Sequence, residues 1–334
     1  MTAILVTIMG LLLPIVASAH ELWSVNQHAA NLPPRPEIFT EPSALGVYLF
    51  AATLIILVIL VGTRSWYKRS PLVQKLEKRM IFPFHAKQIL AAMIGVNLVW
   101  SAIGNTLFAP NLPFPPDLSG EIVKWLAVAT GFGLIFFEYF LFECSLSLFA
   151  LFICLTIFAG PAAMMQQLFF AGAALFLALT APRTWLSRPV SLLNRQRAYA
   201  VFRVFLGITF IALASVKWLY PELGLQILHD FPAINFMTPF GMDDGTFMFC
   251  TALVETLCGL AFVLNLYVRW FGMILVPIFT LTAFTTGQKE VIGHLPIQAA
   301  LAVFVLYGHT YIPKYKTHLE VHGKTSQAFD TLPI

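Results

Sequence analysis

Charge is what this chain lacks most. Asp, Glu, Lys and Arg make up 11% of its 334 residues, against 58% hydrophobic, and the mean hydropathy is +0.79. A soluble domain of that length needs far more polar surface, so the deficit makes the bilayer the solvent. A basic stripe is missing too: the net charge is only +4, which argues against a nucleic-acid partner. Cysteine is scarce. Cys144, Cys154, Cys250 and Cys258 form no C-x-x-C and lie in apolar runs, which argues against a disulfide framework or a redox dithiol. There is no Walker loop, Rossmann fingerprint, HExxH or c-type haem motif. His85, His294 and His309 lie near the ends of apolar runs, where no facing pair at matching depth emerges to hold haem b.

What is present is hydrophobic length. "MTAILVTIMGLLLPIVASAH" reads as a secretory signal over residues 1–19, with Ala17-Ser18-Ala19 as a small-residue cleavage site, although no basic residue precedes its apolar core. An uncleaved first membrane helix is the competing reading. Residues 20–43 form a Pro-rich segment expected outside the cytoplasm, and residues 44–85 a leading membrane helix with a basic cytoplasmic loop, "RSWYKRSPLVQKLEKR". Apolar runs then follow at 89–108, 122–140, 141–158, 162–181, 199–219, 247–266, 271–286 and 295–311. With a span needing about 20 residues, the expected fold is an all-α polytopic membrane helical bundle of about nine transmembrane helices. The basic loops fall on one side and the Pro-rich loops on the other. That pattern predicts a multi-pass protein of a bacterial-type inner (cytoplasmic) membrane, with its mature N-terminus outside and its C-terminus in the cytoplasm.

The chain also repeats. "LVWSAIGNTLFAP" has the outline of "IALASVKWLYP", with Asn105 where Lys217 stands and Pro110 beside Pro221. Further on, Gly133 aligns with Gly259, Gly160 with Gly287, and Gln167 with His294. Two parallel four-helix repeats result, at 86–182 and 199–313, joined by a basic cytoplasmic linker at 183–198 and followed by a cytoplasmic tail at 314–334.

The aligned positions differ in charge. Asn105, Ala129 and Gln167 in the first copy become Lys217, Glu255 and His294 in the second. Ionisable groups at membrane depth tend to face a protein interior or a wet cavity, so these three form the candidate catalytic set. The bland alternatives are a snorkelling lysine at a helix end and a loop histidine; Glu255, deeper and shorter, is the strongest candidate. In "TGQKEVIGHLP", Lys289 and Glu290 add polar groups at the same rim. With His294 they make a cluster suited to a quinone head group and its protons, and Arg203, expected to face the cytoplasm, is the third expected cofactor-binding residue.

The block "FRVFLGITFIALASVKW", with "ETLCGLAFVLNLYVRWFGMILVP" and "GHLPIQAALAVFVLYG", resembles the DoxX family of four-span membrane proteins over about 199–308, with a weaker echo in the first repeat. The resemblance implies a membrane component of a redox system with a partner redox subunit. Some relatives are membrane subunits of thiosulfate:quinone oxidoreductases; others accompany redox or detoxification systems. The duplication, the extra leading span and the exported histidine segment depart from the minimal family unit. Two other functions stay open. One is a non-catalytic scaffold or transporter whose repeats line a path. The other is copper handling: cleavage after Ala19 exposes His20 as an amine and imidazole together, and His28 adds a further nitrogen, a donor set that suits Cu(II).

Overall fold

The computed structural model describes residues 44–73, 75, 86–114, 118–181, 192–286 and 288–307. Hydrophobic length sets the architecture. The long helices are α1 (Ala44–Arg69), α2 (Ala86–Ile103), α3 (Leu118–Phe136) and α4 (Leu141–Ala159). After the short α5 (Pro161–Met165) come α6 (Leu168–Thr180), α7 (Leu192–Leu219), α8 (Pro221–Asp230), α9 (Asp244–Leu264), α10 (Val268–Thr286) and α11 (Gln288–Tyr307). Seven described helices are long and apolar enough to cross a membrane, and two shorter apolar ones, Leu168–Thr180 and Val291–Tyr307, accompany them. The all-α polytopic bundle is therefore the fold, while length and composition alone stop short of nine spans.

Two expected spans end differently from their hydropathy. The run at 89–108 stops as a helix at Ile103, because Gly104 and Asn105 turn the chain, Asn105 with a left-handed φ of 56°. A small antiparallel hairpin follows, β1 (Thr106–Leu107) with β2 (Ala109–Pro113). The run at 162–181 breaks between α5 and α6 at Gln166 and Gln167, both buried. There the amide of Phe169, which an unbroken helix would commit to the carbonyl four residues back, donates instead to Thr209 Oγ1 at 2.9 Å.

The packing repeats as the sequence does. In the first unit α2 pairs with α3 and α4 with α6; in the second α7 pairs with α9 and α10 with α11. Between units the exchange is reciprocal: α6 lies on α7, and α11 lies on α2. A matched pair of polar clamps marks those two seams. Thr209 of α7 holds the backbone of Phe169 at the start of α6, and Asn97 of α2 donates through Nδ2 to the Ile292 carbonyl of α11 at 3.1 Å. That carbonyl lies four residues before Pro296, which has no N–H to offer it. Asn97 corresponds to Thr209 by the spacing that relates Asn105 to Lys217.

Helix α1 stands mostly in lipid and is fastened at its end. Tyr67 meets Tyr267 at a ring distance of 4.2 Å and accepts from Trp270 Nε1 at 2.9 Å, while Thr63 Oγ1 lies 2.6 Å from the Tyr267 hydroxyl. Arg64 and Arg69 therefore share one end of the bundle with Arg195, Arg197, Arg203 and Arg269, and Lys217 occupies the opposite end.

Candidate functional site

Helices α7 and α9 run antiparallel and meet at glycine. A Cβ on Gly207 would come 2.8 Å from the Gly259 carbonyl oxygen, and one on Gly259 would come 2.8 Å from that of Gly207. The same contact joins Gly95 to Gly131 in the first unit, where the corresponding Cβ of Gly131 would lie 2.8 Å from the Gly95 oxygen. Small residues let helix backbones approach in lipid, where dispersion and hydrogen bonds replace the hydrophobic effect. This contact also corrects the alignment of the second helices. Gly131, not Gly133, answers Gly259, so the uncharged counterpart of Glu255 is the buried Ala127 rather than Ala129.

From that crossing the side chains converge. Side chains on a helix lean toward its N-terminus, so Lys217 near the end of α7 leans down the bundle and Glu255 on α9 leans up to meet it. Lys217 Nζ lies 3.1 Å from Glu255 Oε2, each side chain only 12% exposed. Beside the pair, Trp218 Nε1 donates to Thr256 Oγ1 at 3.2 Å and its ring stands edge-on to Phe249 at 5.3 Å, a second tie between the two helices.

Two helical turns below the ion pair, about 10 Å along the axis, lie Phe210 and Phe262 on the same two helix faces. Their rings are 5.8 Å apart. Phe210 also meets Phe279 at 5.8 Å, Phe262 meets Phe304 at 5.3 Å, and Phe304 meets Phe202 at 5.1 Å. Phe202, Phe210, Phe262 and Phe304 are completely buried. The result is a charged rung above an aromatic floor. The seven-residue spacing from Phe210 to Lys217 and from Glu255 to Phe262 carries that floor in the sequence, where the charged residues alone drew notice.

The remaining expected residues fall in several places. His294 is buried on α11, whose main neighbours are α10 and α2, and its ring lies 5.5 Å from Phe279. The ring contacts thus run Phe210, Phe279, His294, with the histidine on a helix other than the two that carry the ion pair. Arg203 sits at the other end of α7. Its guanidinium donates to the Phe262 carbonyl and, at 2.9 Å, to that of Val263, so it caps the C-terminus of α9. Arg269 does the same for α11, donating from Nε to Val305 O at 2.7 Å and from Nη2 to Leu306 O at 3.0 Å. A buried arginine at a helix end is here a cap, far from the Lys217 rung. The side chains of Lys289 and Glu290 lie outside the described residues, as do His20 and His28. Among the described residues no group of three or more His, Cys, Asp or Glu could hold a metal ion.

The first unit answers the absent charge in its own way. Asn105 Oδ1 accepts from Lys124 Nζ at 2.6 Å, and Glu121 lies 3.8 Å from the same ammonium. The cation is on the second helix there and on the first helix in the other unit. In the first unit its side chain is 22% exposed; in the second it is more enclosed, at 12%.

Above the rung, residues 231–243 fold over the helix ends. Asn235, buried, donates from Nδ2 to Met242 O at 3.1 Å and to Asp244 Oδ1 at 2.7 Å, and its Oδ1 accepts from Met237 N at 3.2 Å. Asp243 caps α9, accepting from Thr246 N at 2.8 Å and Thr246 Oγ1 at 2.7 Å. Those two bonds hold its carboxyl below the ordinary carboxylate value.

Residues 198–288 match the DoxX family model. The match covers most of α7, all of α8, α9 and α10, and stops as α11 begins, so it includes Lys217 and Glu255 and leaves out His294. No curated protein and no solved structure matches the chain.

Proposed function

We propose that this multi-pass membrane protein with a DoxX segment is the membrane component of a redox system, and that it receives a quinone head group at the Lys217–Glu255 rung. The observation that carries the reading is the ion pair itself: two charges 3.1 Å apart, both nearly enclosed, between helices whose fold in the first unit does without them. Holding charges inside an apolar bundle is costly, and intramembrane ionisable residues mark ion, proton or ligand sites for that reason.

The residues fit such a head group by chemistry. A bound quinone would supply uptake and release of electrons coupled to protons. Lys217 is a hydrogen-bond donor for a carbonyl oxygen, and Glu255 is a proton carrier within reach of it. Phe210 and Phe262, packed against each other and fully buried, close the bundle beneath. His294, on α11 against Phe279, is a second group able to exchange a proton. Lys289 and Glu290 would complete the rim, whereas Arg203 serves the site only by fixing the end of α9.

The aromatic floor favours this reading over a transporter. Phe202, Phe210, Phe262, Phe279 and Phe304 fill the bundle between the rung and the opposite end, which supports a one-sided site rather than a path. The gathering of Arg64, Arg69, Arg195 and Arg197 at that opposite end supports placing it in the cytoplasm and the rung on the outer side of an inner membrane. Copper at His20 and His28 is a separate proposal, tested by metal content with and without His20→Ala; equal copper ends it.

The quinone site is tested by titrating a short-chain quinone into the detergent-purified protein and into Glu255→Gln and Lys217→Gln, with thermal unfolding recorded for each. Loss of about tenfold or more in affinity, worth about 1.4 kcal/mol, in variants that remain folded is expected. Unchanged affinity in both would contradict the assignment.

A further inference from the structure

The loop at 231–243 presents aromatic side chains where water-facing loops rarely hold them. Phe240 is 79% exposed and Phe236 45% exposed, and Asn235 fixes the turn that displays them. Phe236 reaches down the flank of α9 to meet the ring of Phe247 edge-on at 5.5 Å. Phe247 lies one turn inside a helix that is long and apolar enough to span, so Phe236 stands at the depth where that span begins. The 3-10 turn at Pro232–Ile234 packs against α10. Along α10, Ile274, Ile278, Leu281 and Phe284 form one exposed apolar stripe at helical spacing, ending in Phe284 at 70% exposure.

From this continuity we infer that the 231–243 loop is seated in the membrane. Phe236 and Phe240 enter the headgroup–acyl boundary of the leaflet at the Lys217 end, extending the lipid-facing stripe of α10 over the helix tips. Aromatic rings favour that boundary, because it buries their apolar faces while neighbouring polar groups stay wet. The loop divides accordingly. His229, Asp230, Asp243 and Asp244 are exposed and charged or ionisable, and serve as its water side. The occupant is lipid rather than protein because the patch continues a surface that already faces acyl chains.

The test uses power-saturation spectroscopy of a nitroxide at Phe240→Cys in lipid vesicles. The full chain carries alanine at its four native cysteines. Phe284→Cys serves as the lipid reference and His229→Cys as the water reference. The label at 240 should relax strongly with oxygen and weakly with a water-soluble nickel chelate, as at 284. Nickel access equal to that at 229 would overturn the inference. So would shielding from both reagents with dipolar broadening, which would mean that a second copy covers the patch. Because Phe240 makes little of its own packing, Phe240→Asp should fold in detergent yet show reduced retention of the loop in the bilayer; a label at Phe236→Cys reports that as a gain of nickel access. No gain there also counts against the membrane seat.

Discussion

Gly207 and Gly259 touch backbone to backbone, and that contact decides where Lys217 and Glu255 stand. Each Cβ that the chain omits there would meet a carbonyl oxygen of the facing helix at 2.8 Å, well inside van der Waals contact. Replacing either glycine drives the helices apart near the rung. Gly207→Ala is expected to destabilise the protein by about 1–3 kcal/mol, the usual range for overpacking a close contact. Gly62→Ala is the control: nothing lies within 4 Å of its added Cβ on α1, and its melting temperature should hold or rise slightly. Thermal unfolding in detergent separates the two.

The ion pair should be strongly non-additive. Removing one charge leaves the other enclosed without its 3.1 Å partner, at a cost of about 3–5 kcal/mol for a fully buried pair and somewhat less here, where both side chains keep 12% exposure. The double variant Lys217→Met with Glu255→Leu should recover much of that loss while abolishing quinone binding. A double-mutant cycle on unfolding free energy checks the coupling. A sum of independent effects would remove the pair as a unit.

Asn97→Leu tests the seam between the two units. The Ile292 carbonyl, already without a helical donor because of Pro296, would lose the Nδ2 bond at 3.1 Å. A buried acceptor left unsatisfied costs about 1–3 kcal/mol. Thr209→Val should cost a similar amount at the matching clamp on Phe169 N. Amide exchange should rise at 292–295 in the first variant and at 166–169 in the second, and in neither at the far seam.

How much of this was legible in the sequence depended on whether the decisive partner was a side chain or a backbone. Lys217 and Glu255 can be singled out because both are ionisable, lie in apolar runs and lack charged counterparts at the aligned positions of the other copy. The sequence sets Arg203 on the cytoplasmic side but hides its role: a basic residue in an apolar run looks the same whether it faces a ligand or caps helical carbonyls, and those carbonyls have no letter in the sequence. The break at Gln166–Gln167 was hidden for a related reason. Hydropathy ran on through it, while the deciding bond came from Thr209 on a distant helix. His294 was placed by alignment on the correct helix, yet the wall it occupies depends on how the second unit packs against the first. Several glycines are available to align α3 with α9, two residues apart, and only the backbone contact selects Gly131.

The cap at Asp243 gives a pH dependence of known sign. Hydrogen bonds from Thr246 depress its carboxyl, so its contribution to stability is fully present above the unfolded value near 4 and is lost as pH falls through the lower folded value. Asp243→Ala should cost about 1 kcal/mol near neutrality and flatten the acid limb of the melting curve. A variant melting with the same acid slope as the parent would place that slope elsewhere.

On the proposed function, Glu255 exchanges a proton with a quinone held at the rung. Redox-difference infrared spectroscopy of the reconstituted protein, with quinone present and with glutamate carboxyls isotopically labelled, reads that exchange directly. An isotope-shifted carboxyl band is expected to appear on quinone reduction and to vanish in Glu255→Gln. A difference spectrum with no glutamate band, or one that persists unchanged in Glu255→Gln, would contradict it.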